Sequence, residues 1–167
     1  FGTSGRWTAG DGAQVRIEPD GNVTVSSPVI DMGQGTKTMV ATVAAEALGV
    51  PVDDVEVRLG DTDVTPYGLG SFGARSSIVA AGGIVRAAVA VRAKVLQIAA
   101  HKLEAAVEDL AIEGGHIHVR GSMKASISFK EVAAAAYFRT FELPAEMTSG
   151  LTDTAVYESE GVDHLPD

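Results

Sequence analysis

The chain has no cysteine among its 167 residues, which excludes a disulfide, a cysteine-ligated zinc and an iron–sulfur cluster held by this chain. Any electron-transfer cluster must sit on another chain or domain. Basic residues are scarce as well: 13 Lys and Arg stand against 22 Asp and Glu, for a formal net charge of -9. Neutralising nucleic-acid phosphates needs a basic face, so this balance argues against a nucleic-acid partner. Anionic ligands would have to be held by local devices. A membrane span is not expected either, because the most apolar stretch, Ile78 to Ala100, is interrupted by Arg86, Arg92 and Lys94, whose charges are costly in a bilayer. Phe1-Gly2-Thr3-Ser4-Gly5 has neither the basic start nor the apolar core of a signal peptide. With no initiating Met, the sequence reads as a piece of a longer protein. No internal repeat suggests a solenoid.

What is present is a globular pattern with 46% hydrophobic residues, enough to bury a core. Val15 and Ile17, then Val23 and Val25, alternate with polar neighbours around Pro19-Asp20-Gly21-Asn22, which predicts a hairpin over 13–30. From Thr36 the period becomes helical, with Met39, Val43 and Ala47 on one face, until Gly49 and Pro51 end it. Val55, Val57 and Leu59 predict a short strand. Ser76 to about Ala106 predicts a long helix whose Gly82-Gly83 implies close approach by another backbone. Gly114-Gly115 between Leu110–Glu113 and His116–Val119 predicts a second hairpin, and a short strand is expected to include Ile127. Ser128-Phe129-Lys130-Glu131 has capping-box spacing ahead of a helix over about 129–138.

Two glycine-rich loops each lead into a helix start: Met32-Gly33-Gln34-Gly35 before Thr36, and Gly68-Leu69-Gly70-Ser71-Phe72-Gly73-Ala74-Arg75 before Ser76. Helix starts carry unpaired N–H groups and a positive dipole end, and glycines let a ligand approach the backbone, so each loop suits a phosphate or other anion. Lys37 and Arg75 would add positive charge, and the Gln34 amide, set between two glycines, would be free to face a ligand. A lone Gly-x-Gly more often only builds a turn. Other candidates are weaker: Asp61 and Asp63 fit a solvated turn better than a cation site, and His116 and His118 share a strand face without a third zinc ligand nearby. Ser76 and Ser77 lack nucleophile-elbow spacing and suit helix capping. Trp7 and Tyr67 are expected to be packing or loop anchors.

Taken in order, Asp31-Met32-Gly33-Gln34-Gly35, the helix carrying Ala44-Ala45-Glu46-Ala47-Leu48-Gly49, Gly60-Asp61-Thr62-Asp63, Pro66-Tyr67-Gly68-Leu69-Gly70-Ser71 and Ala74-Arg75-Ser76-Ser77 resemble the large, molybdopterin-binding subunit of molybdenum hydroxylases of the xanthine dehydrogenase and aldehyde oxidase type. The likeness is strongest to the aerobic carbon monoxide dehydrogenase large chain, although Thr36 and Lys37 stand where some members have a histidine and an acid. The resemblance implies that Gly33, Gln34, Gly35, Phe72, Gly73, Ala74, Arg75, Ser76 and Ser77 contact the molybdenum cofactor, as molybdopterin cytosine dinucleotide, with no metal ligand of their own. It implies 2Fe-2S and FAD on partner subunits or domains, the remainder of the large subunit as a further partner, and a small-molecule substrate. It also implies a cytoplasmic enzyme, membrane-associated at most through partners. The family's Gly-x-Gly-Glu base segment, its copper-holding cysteine loop and its upstream Gly-Gly-Phe loop do not occur here, so no catalytic residue is assigned and the chain alone is expected to be inactive.

The expected fold is α+β, with hairpins and a mixed sheet packed against two main helices, as a molybdopterin-binding domain of the xanthine dehydrogenase type. Residues 1–141 are expected to form the cofactor-binding domain, and 142–167 an irregular tail continuing into further sequence. The alternatives are a non-catalytic anion-binding or assembly module with the same fold, and an enzyme using the helix-start loops for a nucleotide.

Overall fold

The computed structural model describes residues 10–158. Strands β1 (Asp11–Ile17) and β2 (Val23–Ser27) form the first hairpin, helix α1 (Thr36–Leu48) follows, and β3 (Val55–Leu59) returns beside β2. The β2–α1–β3 unit makes that last pairing parallel, while β1 pairs antiparallel with β2. A strand near the end of the described chain, β7 (Thr152–Tyr157), pairs antiparallel with β1, giving a mixed sheet in the order β3-β2-β1-β7. Helix α2 (Ala81–Leu103) lies on this sheet, preceded by a π-helical turn at Ser76–Ala80. Strands β4 (Leu110–Glu113), β5 (His116–Val119) and β6 (Ser122–Ser128) form a second, antiparallel sheet that runs into α3 (Phe129–Phe138). Two main helices, two hairpins and a mixed sheet are the expected α+β architecture.

Alternation in β1 puts Val15 and Ile17 wholly inside, facing Val23 and Val25 of β2 and residues of α1 and α2 such as Val40, Leu48, Ile84, Val91 and Val95. Each such side chain contributes about 1.5–3 kcal/mol by leaving water. All five residues of β2 are buried, as expected of a strand covered on both faces. The Gly82-Gly83 pair marks a tight approach of α2 to the sheet. A Cβ on Gly83 would lie 2.9 Å from the Asp11 carbonyl oxygen, and one on Gly82 would lie 2.3 Å from the Tyr157 ring.

The capping box at α3 forms in both directions. The Ser128 hydroxyl accepts from the Glu131 N–H at 3.2 Å, and the Glu131 carboxylate accepts from the Ser128 N–H at 2.9 Å and its hydroxyl at 2.7 Å. These two donors of Ser128 hold the Glu131 carboxyl below its ordinary range. Tyr137 then closes the sheet's lower end, donating to the Ile17 carbonyl at 2.8 Å and accepting from the Leu151 N–H at 3.2 Å.

The structure differs from the sequence reading in three places. The long helix begins with a wide π turn, and it ends at Leu103 rather than near Ala106. There Glu104 turns left-handed (φ 50°), and both its N–H and that of Ala105 return to the Ala100 carbonyl. Residues 152–157, expected to be irregular, form β7. Its half-buried positions are Asp153, Ala155 and Tyr157, a weak apolar signal. Asp153 is tolerated there because Lys94 of α2 meets its carboxylate at 2.9 Å and the Thr152 carbonyl at 2.7 Å. Among the described residues no helix is long and apolar enough to cross a membrane.

Candidate functional site

Because β2 and β3 are parallel, the chain leaves both at the same end of the sheet, where the β2–α1 loop and the long β3–α2 loop meet. Carboxyl ends of neighbouring parallel strands are the usual place for a ligand in such sheets. One residue joins the two loops. The Ser71 hydroxyl accepts from the Ile30 N–H at 2.8 Å, donates to the Ile30 carbonyl at 2.9 Å, and accepts from the Ser76 hydroxyl at 3.1 Å. Its one donor and both acceptor positions are thereby used. Between the loops lies an open cavity of about 420 Å³. Met32, Gln34, Gly35, Thr36 and Met39 line one wall, and Ser71, Phe72, Gly73, Ala74, Ser76 and Ser77 line the other.

The first wall is shaped by Asp31. Its carboxylate accepts from the Gly33 N–H at 2.8 Å and from the Lys37 N–H at 2.9 Å, so it reaches across the turn to cap the first turn of α1. The Lys37 N–H first, and the Gly33 N–H next, hold its pKa below the ordinary carboxylate value. Gly33 and Gly35 take positive φ (99° and 78°), which favours glycine, and nothing lies within 4 Å of where their Cβ atoms would be. Space is therefore open beside both glycines of the turn. Among the described residues, the Thr36 and Thr38 N–H groups have no acceptor, so part of the helix start remains available. Gln34 departs from expectation. Its side-chain oxygen accepts from the Met32 N–H at 2.6 Å and its side-chain nitrogen donates to the Ile30 carbonyl at 3.1 Å. The amide lines the cavity but is spent on fastening its own loop.

The second wall is shaped by Arg75, which is 1% exposed. The sequence reading counted its charge toward an anionic ligand, and the structure turns it the other way. Its guanidinium pairs with the fully buried Asp11 carboxylate at 2.6 Å, donates to the Gly70 carbonyl at 2.9 Å, and stacks 5.0 Å from the Phe72 ring centre. The other Asp11 oxygen accepts from the Leu69 N–H at 2.9 Å. Phe72, half exposed, faces the cavity from above this pair. Ser77 donates to the Ala74 carbonyl at 3.2 Å, and the wide helical turn beginning at Ser76 is a feature often found at functional sites.

Of the nine residues singled out by sequence, Gln34, Gly35, Phe72, Gly73, Ala74, Ser76 and Ser77 line the one cavity, whereas Gly33 and Arg75 do not. Met32, Met39, Thr36 and Ser71 also line it, and Asp11 and Asp31 anchor the loops. Ser71 lay in the quoted loop without a role. Asp11 had no local signal, since its partner is 64 positions away. The remaining candidates are placed elsewhere. Asp61 accepts from the Asp63 N–H at 3.0 Å as a turn former, and His116 and His118 face Ser128 and Ser126 across β5 and β6. Among the described residues no three potential metal ligands cluster. Tyr67 is 69% exposed, and Trp7 lies outside the described residues.

The cavity wall carries no charged side chain. Its donors are backbone N–H groups and an edge of hydroxyls, and Met32, Met39 and Phe72 supply apolar contact. This composition fits a bulky ligand with a flat apolar part and an anionic part that is held by main-chain dipoles rather than by ion pairs. The class is thus an α+β domain that presents a neutral, glycine-built cradle at two helix starts.

Comparison with known proteins gives that class its family. The family model described as a molybdopterin cofactor-binding domain matches residues 1–166, and the chain belongs to this family. It is 36% identical over 149 residues to the nicotine 6-hydroxylase large subunit of Paenarthrobacter nicotinovorans, covering 89% of this chain and 18% of that protein. It is also 36% identical over 148 residues to the carbon monoxide dehydrogenase large chain of Hydrogenophaga pseudoflava, covering 89% of this chain and 18% of that one. Among solved structures, quinoline 2-oxidoreductase from Pseudomonas putida 86 superposes with a TM-score of 0.84 at 44% identity, covering 90% of this chain and 19% of that chain. The carbon monoxide dehydrogenase of Oligotropha carboxidovorans superposes with a TM-score of 0.80 at 35% identity, covering 90% and 18%. The chain spans about a fifth of the length of these relatives. By name they are the large subunit of a hydroxylase, the large chain of a dehydrogenase and two further oxidoreductases, the class of protein that the resemblance implied.

Proposed function

We propose that this domain holds the molybdenum cofactor, as molybdopterin cytosine dinucleotide, within the large subunit of a hydroxylase that oxidises a small organic molecule or carbon monoxide. The observation that carries this reading is the convergence of the two glycine-built loops, some forty residues apart, on one cavity of about 420 Å³ whose wall bears no charged side chain. The Thr36 and Thr38 N–H groups at the start of α1 and the hydroxyls of Thr36, Ser76 and Ser77 are the groups that would hold the anionic part. Met32, Met39 and Phe72 would bury the apolar part and exclude water from it. Gly35 and Gly73 would keep the backbone close to the ligand, with no Cβ in the way. Bound there, the cofactor supplies the redox chemistry that transfers oxygen from water to the substrate and accepts two electrons.

The chain's own contribution is placement. Ser71 locks the two walls at a fixed separation, Gln34 and Asp31 hold the first loop's shape, and Arg75 with Asp11 holds the second. Neither His116 nor His118 is near the cavity, and no residue of this chain is assigned to proton transfer. The remainder of the large subunit, and iron–sulfur and flavin partners carrying 2Fe-2S and FAD, complete the proposed enzyme, which would work in the cytoplasm. Metal analysis and mass spectrometry of the natively purified enzyme test this. Molybdenum with a pterin cytosine dinucleotide, one per large subunit, is the expected result. A plain nucleotide, or a full complement of large subunits with neither molybdenum nor pterin, contradicts it.

A further inference from the structure

Asp11 and Arg75 form the one ion pair among the described residues with both side chains essentially removed from solvent. It sits where the start of the interior strand β1 meets the second cavity wall, and its surroundings are built around it. A Cβ on Gly68 would lie 2.5 Å from the Asp11 carboxylate, and one on Gly83 would lie 2.9 Å from the Asp11 carbonyl. The loop and the helix therefore both close down on this residue. From Asp11 the contacts run outward in a chain: its carboxylate accepts from the Leu69 N–H and the Arg75 guanidinium, the guanidinium donates to the Gly70 carbonyl, and it lies over the ring of Phe72, which lines the cavity. None of these buried atoms touches the cavity itself.

We propose that Asp11 is a positioning residue for the cofactor cavity, fixing the 68–75 loop and the pose of Phe72 through Arg75 and so governing how long the cofactor is retained. The proposal rests on the cofactor-binding reading above. Its charge, rather than its bulk, is what matters: a carboxylate holds the guanidinium in one orientation through a planar, charge-assisted contact that a neutral amide reproduces only in shape. Loss of that orientation frees Phe72 and the loop amides from 69 to 75 while the rest of the sheet keeps its packing.

The test compares Asp11→Asn with wild type in the assembled enzyme and uses Ile117→Ala as a stability control. Ile117 is fully buried in the second sheet, whose hairpin meets the far end of α1 through the Gly115 N–H to Gly49 carbonyl bond. The readouts are the half-life of bound molybdenum during dialysis and amide hydrogen exchange over 69–75 in the cofactor-free protein. The expected result is molybdenum loss from Asp11→Asn about tenfold faster than from wild type, the scale seen when the groups that orient a ligand shell are altered. Exchange at Leu69 and its neighbours should speed up, while Ile117→Ala, at equal or lower melting temperature, retains molybdenum like wild type. Asp11→Asn retaining molybdenum as well as the control overturns the proposal. If Asp11→Asn does not assemble, Arg75→Lys keeps the charge but loses the flat stacking face, and should lie between wild type and loss. Wild-type retention by Arg75→Lys then overturns the proposal. A wild-type enzyme containing no molybdenum overturns the cofactor reading and this proposal with it, whereas equal retention by wild type and Asp11→Asn overturns this proposal alone.

Discussion

The loop at residues 30–35 is shaped mainly by exposed groups close in sequence, with Asp31 reaching Gly33 and Lys37 and Gln34 reaching Met32 and Ile30, and Ser71 as its tie to the distant loop. The loop at 68–75 is fastened by a buried ion pair to a residue 64 positions away. Both present glycines and small polar groups to the same cavity. Exposed local bonds each contribute little and are easily replaced, so the first loop's shape depends chiefly on its glycines and on the helix start. A buried pair is an all-or-none anchor, because removing one member leaves the other charged and out of water. The second wall should therefore be the rigid side of the cavity and the first the adaptable one.

That contrast breaks most visibly at Arg75. Arg75→Ala strands the Asp11 carboxylate inside the protein and should cost about 3–5 kcal/mol of unfolding free energy, read by urea denaturation of the cofactor-free chain. A loss below about 1 kcal/mol, the scale of a surface pair, would show that the pair is solvated and the contrast false. Next in size is Gly35→Ala, which forces a Cβ into a left-handed residue (φ 78°) at a cost of about 1–2 kcal/mol without any steric clash. The same denaturation measurement should show it, and a neutral result would mean that the turn rearranges freely.

Ser71→Ala sharpens the comparison because it cuts the tie between the loops. The Ile30 N–H loses its partner, and its carbonyl keeps only Gln34, for a loss of about 1 kcal/mol at this exposed position. Since Ser71 and Gln34 share that carbonyl, the double variant Ser71→Ala with Gln34→Ala should depart from additivity in a double-mutant cycle. Strict additivity would show that the loops are independent. The smallest effect is acidic. The Asp31 carboxyl titrates below its ordinary value of 3.8, chiefly because it accepts the Lys37 N–H. A depressed carboxylate stabilises the fold above the unfolded pKa, so its contribution is fully present at neutral pH and is lost as pH falls below about 3.8 toward the folded value. Stability measured against pH should fall less steeply in that window for Asp31→Asn than for wild type. Identical slopes would remove Asp31 from the account.

The same contrast explains what the sequence disclosed. Features written within a few residues were legible: the 114–115 hairpin, the Ser128–Glu131 capping box, the start of α1 after Gly35, and the glycine motifs that pointed to both walls. Features written across the chain were not. Arg75 looks like a cation offered to a ligand until Asp11 is beside it, and Gln34 looks free until the Ile30 and Met32 backbone groups turn toward it. Strand β7 was hidden because Asp153 and Ala155 occupy its inner face, where only Lys94 of α2 makes the acid tolerable. The Gly82-Gly83 pair is the intermediate case: the sequence showed that something must come close, and only the fold showed that it is β1 and β7.

The claim that the cavity between the two loops holds the molybdopterin cofactor is tested most directly by filling it. Ala74 lines the cavity and is exposed, so Ala74→Phe adds bulk to the site without disturbing the buried core. Metal and pterin analysis of the purified Ala74→Phe enzyme, beside its cofactor-free melting temperature, should show molybdenum and pterin nearly absent at an unchanged melting temperature. A full complement of both in a normally folded Ala74→Phe enzyme would contradict the assignment of this cavity.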